Sequence, residues 1–207
     1  MDKQLLKPAA AIAVALFLTA CSEAPQTGEP NRSAKAEPAV PPEAVAARTA
    51  FYEMYKPART WAADLLPLTL TAGEVPGIKN ENGKAGMWIA VFVSPGRREA
   101  RTLVYAVKDH AGDIHKGVTA GGTQVWSGPT PKSRPFQVTE FITDSDDAFK
   151  TASQKAGTWL NKHPGTKVSI TMAGTARFPG PVWYIMWGDT KSGYLGFVNA
   201  VTGAVLK

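Results

Sequence analysis

Cysteine is nearly missing from this chain: Cys21 is the single one among 207 residues. One thiol excludes an internal disulfide and any zinc site assembled from several cysteines. Histidine is scarce too, with His110, His115 and His163 making three. No apolar run reaches the roughly 20 residues that a membrane-spanning helix requires, and the stretch from Ala9 to Phe17 falls well short. The patterns H-E-x-x-H, G-x-S-x-G, S-x-x-K, G-x-G-x-x-G and the Walker loop are all missing. Charge is modest as well: 23 Lys and Arg against 17 Asp and Glu give +6, without the clustered basic stripes of a nucleic-acid binder. No nucleic-acid partner and no cofactor are therefore expected.

What is present begins at the N-terminus. Lys3 and Lys7 precede the apolar run, which ends in Leu18-Thr19-Ala20-Cys21. Two basic residues, a short apolar core and small residues at the cut have the layout of an export signal. The segment resembles the signal and lipobox of bacterial lipoproteins. That resemblance implies that residues 1–20 are removed as a signal peptide and that Cys21 becomes a lipidated N-terminal residue. Used as an anchor, Cys21 is no longer a candidate nucleophile. One acyl chain gives only marginal binding at about 0.8 kcal/mol per buried methylene, so two or three make the attachment stable. The alternative, cleavage at an ordinary site, leaves Cys21 a free thiol. Ser22 stands where inner-membrane lipoproteins often carry Asp. The resemblance therefore implies an outer-membrane anchor facing the periplasm if the organism has two membranes.

Residues 21–46 read as a tether. Pro25, Pro30, Pro38, Pro41 and Pro42 lie among Ala, Glu, Ser and Lys, with Val40 and Val45 the only branched apolar residues. Such a stretch buries too little to offset its ordering entropy. Beyond it the basic excess is concentrated in residues 79–134, which hold nine basic and four acidic side chains, Arg97, Arg98 and Arg101 among them.

The body reads as written twice. Residues 47–134 run from a helical pattern holding Trp61, through Leu68–Gly73, Gly86–Val93 and Thr102–Val107, to a turn at Asp109–Asp113. Residues 135–207 run from a helix holding Trp159, through Val168–Gly174, Pro181–Trp187 and Tyr194–Val198, to a turn at Asn199–Gly203 and a closing Ala204–Leu206. Trp61 corresponds to Trp159, Trp88 to Trp183 and Gly112 to Gly203. The expected fold is α+β: two tandem units, each a helix packed on an antiparallel β-meander. The first helical pattern spans about Glu43 to Leu66 and should break or kink near Lys56, with Pro57 opening a new turn, because proline removes a donor and crowds the preceding turn. The second should be capped by Thr143 or Asp144, with Asp146 and Asp147 at the positive end of its dipole.

The C-terminal strands, Pro181–Ile185 and Gly193–Val198, followed by Asn199-Ala200-Val201-Thr202-Gly203-Ala204-Val205-Leu206, resemble the end of a PepSY-type domain. That family closes on a Trp-centred strand and a D-x-x-T-G-x-V hairpin, and Asn199 here replaces the Asp. About 65 residues match well and the first half only loosely. The resemblance implies a cystatin-like, non-enzymatic envelope module that binds or restrains a protein or peptide partner. No functional residue carries over from it.

Two further features compete for function. Asp109, His110, Asp113 and His115 fall within seven residues. In a hairpin Asp113 and His115 share a face and, with Asp109, suit a divalent ion, which makes a metal-dependent envelope hydrolase using this cluster the alternative to a binding module. The plainer reading is a polar turn with Gly112 at positive φ. Trp88, Trp126, Trp183 and Trp187 are candidate stacking platforms for sugars or peptides, although Trp183, Ile185 and Trp187 alternate as a buried sheet face would require. Tyr184 and Met186, on the opposite face of that strand, imply either a second packed layer or an exposed binding surface. A structural lipoprotein without separable activity is the third reading.

Overall fold

The computed structural model describes residues 41–207 other than 111 and 113, so Cys21 and Asp113 lie outside the described residues. Helix α1 spans Ala47–Trp61 and is followed by strands β1 (Leu66–Gly73), β2 (Met87–Ser94), β3 (Glu99–Ala106) and β4 (Gly117–Val125). Helix α2 spans Ser145–Lys162 and leads into β5 (Val168–Gly174), β6 (Pro181–Trp187) and β7 (Tyr194–Asn199). All seven strands join one antiparallel sheet in the order β4-β3-β2-β1-β5-β6-β7. The class is thus α+β. Residues 47–134 and 135–207 do not build separate sheets, because β1 pairs with β5 at the centre.

Opposite residues of antiparallel strands share a face, so the register separates the two sides of the sheet. One row runs Ala120, Leu103, Ala90, Leu70, Met172, Trp183, Val198 from edge to edge. From Leu103 to Val198 none of its members is more than 1% exposed. Both helices lie on this side. Ala47, Ala50, Phe51, Met54, Ala58 and Trp61 of α1, and Ala148, Ala152 and Ala156 of α2, share one core with that row. The alanines let α2 sit close: a Cβ added at Gly196 of β7 would come within 3.1 Å of the Ala152 Cβ.

Helix α1 runs through Pro57 without the expected break. Pro57 and Glu53, whose carbonyl loses its helical partner, are both exposed, so water can replace the missing bond. The buried positions 47, 50, 51, 54, 58 and 61 keep one apolar stripe across the proline, and tertiary packing holds the last turn in place.

Three further differences from the sequence expectations stand out. Val45, assigned to the tether, exchanges two backbone hydrogen bonds with Ala85, each 3.0 Å, and its carbonyl accepts the Trp88 indole N–H at 2.9 Å. The tether boundary at 46 therefore falls inside the body. β4 forms where no strand was expected, because its glycines and threonines carry little apolar signal and pairing with β3 supplies the order. Ala204–Leu206 contributes only an isolated bridge, Val198 to Val205, rather than a strand.

The two helix N-termini meet. Asp144 caps α2, its Oδ1 accepting from the Ser145 amide at 2.7 Å, and the same oxygen accepts from the Arg48 amide of α1 at 3.0 Å. Ser145 Oγ accepts from the Ala47 amide at 2.9 Å. Helix α1 has no cap of its own, since Ala46 offers no side-chain acceptor. The start of α2 supplies that acceptor. The Trp183 indole donates to the Thr143 carbonyl at 2.9 Å, two residues before α2, as Trp88 donates to Val45 two residues before α1.

Candidate functional site

The second side of the sheet is paved by the row Thr119, Val104, Ile89, Thr71, Thr171, Tyr184, Phe197. Each of these side chains is half-buried. At the centre Thr171 Oγ1 donates to Thr71 Oγ1 across the β1–β5 seam at 3.2 Å. Met186, beside Tyr184 on this side, is half-buried, and Leu195 opposite it is exposed. Neither helix reaches this face.

Among the described residues, loops cover only its ends. At one, Val75, Ile78 and Ile114 pack on Met87, Ala106, Ile89 and Val104 to form a small satellite cluster. At the other, Phe178 packs on Phe197 with ring centroids 5.4 Å apart, and the Arg177 guanidinium lies 4.6 Å from the Phe197 ring centre. Tyr184 stands edge-on to Phe197, and its hydroxyl is 3.0 Å from Thr175 Oγ1. Between these ends lies a threonine and aliphatic surface without a charged side chain in its central row. Its chemistry is apolar contact and hydroxyl hydrogen bonding, which suits binding rather than proton transfer.

The described residues of the Asp109–His115 segment form a turn. His110 and Ile114 form a bridge, and Gly112 has φ +71°. Asp109 Oδ1 accepts from the Lys116 amide at 2.9 Å and lies 3.6 Å from His115 Nδ1, with both side chains more than three-quarters exposed. His110 instead lines an open cleft of about 610 Å³ with Glu74, Ile78, Lys79 and Lys167. Among the described residues no three His, Cys, Asp or Glu side chains converge on a common point. His163 is the C-cap of α2, its Nδ1 2.9 Å from the Trp159 carbonyl and its ring stacked on Trp159 at 4.1 Å.

The tryptophans expected as platforms are mostly interior. Trp88, Trp183 and Trp187 are at most 2% exposed, and Trp88 meets Trp183 edge-on at 6.3 Å. Of the four, only Trp126, after β4, is half-buried. Asn199 closes the turn after β7: its Oδ1 accepts from the Val201 and Thr202 amides at 2.8 and 2.9 Å.

The perturbed carboxyls are structural. Burial pushes Asp144 up, against the lowering pull of the Ser145 and Arg48 amides. The Ser94 hydroxyl and Gly96 amide hold Asp64 low, and three bonds within its own turn hold Asp189 low. None of the three lies on the open face. Of that face only Tyr184 and Met186 were marked by the sequence reading. Thr71, Thr171, Ile89 and Val104 were missed, although the alternation of β2 and β3 carried the signal.

No family model matches the chain, and no curated protein matches it. Among solved structures it is similar to one described as a putative lipoprotein from Clostridium difficile 630, at 10% identity and a TM-score of 0.43, covering 76% of this chain and 90% of that one. A likeness of that size establishes neither fold nor function here. No helix among the described residues is long and apolar enough to cross a membrane.

Proposed function

We propose that this chain is a lipid-anchored envelope protein whose body is a non-catalytic binding module for a protein or peptide partner. The observation that carries this reading is the open side of the sheet, where seven half-buried side chains cross all seven strands and no helix among the described residues lies over them. A sheet face that no layer of the described residues covers is a surface on which a partner gains apolar burial at little ordering cost.

The body is read as two tandem PepSY-like units. Support comes from equivalent contacts: an indole donating to the carbonyl two residues before each helix, Thr71 facing Thr171, and a helix preceding a meander in each half. The anchor rests on Lys3, Lys7, the Ala9–Phe17 run and Cys21, with Ser22 favouring the outer membrane and the periplasmic side. Palmitate-analogue labelling tests this part: Cys21→Ser should abolish incorporation, and label retained at the wild-type level would refute it.

Site-specific photocrosslinking tests the module. A photoreactive residue at Thr71 should trap one protein of defined mass in intact envelopes, while one at Tyr52, on the solvent side of α1, should not. Equal trapping from both positions, or none from Thr71, would remove the open face as the docking surface.

A further inference from the structure

The sheet has two edges, and they are treated differently. β7 is partly covered by the C-terminal residues, through hydrogen bonds from the Asn199 amide to the Ala204 carbonyl and from the Leu206 amide to the Phe197 carbonyl, each 2.9 Å. Among the described residues β4 pairs with β3 alone. Its nine residues, Gly117–Val125, contain no charge and no proline, the residues with which edges are usually blunted. Val125 is 86% exposed and Val118 is 36% exposed. One protective device remains, a bulge that sets Gly121 and Gly122 opposite Thr102 and twists the strand at its middle.

The geometry points to β4 as a strand-addition site for an extended, uncharged β-forming segment flanked by acidic residues. This inference rests on the binding-module reading and names the chemistry of the partner. The main-chain donors and acceptors of β4 supply the pairing, as in other strand-addition complexes. Charge selects the guest. Lys116 precedes the strand, the half-buried Arg101 reaches the Gly121 carbonyl with its Nε at 3.3 Å, and the Arg98 carbonyl accepts from the Trp126 amide at the far end. Of the nearby carboxylates among the described residues, Asp109 accepts from the Lys116 amide and lies 3.6 Å from His115 Nδ1, and Glu99 lies one strand inward, opposite Val125. A second copy is the poorer guest. Antiparallel self-pairing centred on Gly121 would bring Lys116 of one copy beside Trp126 and Arg98 of the other, cation against cation.

The experiment uses full-length protein in detergent and a labelled synthetic peptide of alternating valine and threonine with two glutamates at each end. Saturable binding is expected, with slowed amide exchange at residues 117–125. N-methylation of alternate peptide amides, which removes the edge donors without touching the protein, should weaken binding at least tenfold. Replacing the glutamates by lysines should do the same, and the exposed-site double variant Lys116→Glu, Arg98→Glu should reverse that preference. Absence of saturable binding overturns the inference, as does equal binding of the N-methylated peptide. Dimers protected at β4 without peptide would replace it with self-association. Protection confined to residues 69–71 and 182–186 rejects the edge while leaving the open-face module intact. Trapping failure at Thr71 with β4 protection retained would do the converse.

Discussion

The Asp144 carboxylate accepts a hydrogen bond from the backbone amide of Arg48, 96 residues earlier, at 3.0 Å. Through it the first turn of one helix is completed by the cap of the other. Asp144→Asn keeps an acceptor oxygen for both amides, and Asp144→Ala removes it. The alanine variant should lose about 1–2 kcal/mol, typical of a lost cap, and the asparagine variant much less. The charge has the opposite sign of effect. Burial raises the folded-state pKa above the ordinary 3.8, so over that interval the folded state binds more protons than the unfolded state. Stability from this group therefore falls as pH rises through the interval. Relative to Asp144→Asn, the wild type should gain stability as the pH is lowered through that interval to 3.8, measured by urea unfolding at each pH. A difference that shrinks instead would contradict this assignment.

Asp64 should show the reverse pH dependence. Its carboxylate accepts from Ser94 Oγ and from the Gly96 amide, each at 2.6 Å, tying the loop after α1 to the β2–β3 turn. The Ser94 bond is the main cause of its lowered pKa. The stabilisation is present above 3.8 and is lost as pH falls through the lower folded-state value. Asp64→Ala should lower the melting temperature at neutral pH, and the gap to the wild type should close in acid. A gap that widens below pH 3.8 would rule the contact out as its source.

Two glycine substitutions should move stability in opposite directions. Gly83 has φ +79°, and an added Cβ would collide with the Ser145 carbonyl oxygen and lie 2.5 Å from Asp146 Cα. Gly83→Ala should cost at least about 1–2 kcal/mol from the backbone alone, with the collision in addition. Gly157 lies within α2 with nothing within 4 Å of an added Cβ. Gly157→Ala should stabilise by about 0.5–1 kcal/mol. Denaturant midpoints at constant m-value decide both.

Trp183→Ala should destabilise far more than His110→Ala. Trp183 is 0% exposed and packs on Trp88 and Phe141, and its indole is bonded to the Thr143 carbonyl. Its truncation should cost about 3–5 kcal/mol, whereas the histidine, on a turn at a cleft rim, should change stability by no more than about 0.5. Zinc, manganese or calcium should leave the wild-type melting temperature unchanged. A saturable rise lost in His110→Ala or His115→Ala would establish a metal site.

Local pattern made much of this body legible in the sequence. The alternation of Trp183, Ile185 and Trp187 identified a buried strand face because strand side chains point alternately to two sides. The cap of α2 could be narrowed to Thr143 or Asp144 because a side-chain acceptor before a helical pattern fills a need that is local, and Asp144 is the one that takes it. The Lys3 to Cys21 pattern that resembles a lipobox is a linear signal too, and it lies outside the described residues. What the linear pattern left open was every partner across the fold. Whether Tyr184 faced a second layer or solvent depended on where two helices came to rest, and both rest on the same side of one shared sheet. β4 was invisible because glycine and threonine have no apolar period, so its order comes from the strand beside it. Pro57 signals a break or a kink because its cost is local, whereas the buried stripe that keeps Ala47–Trp61 one helix is a property of the packed core.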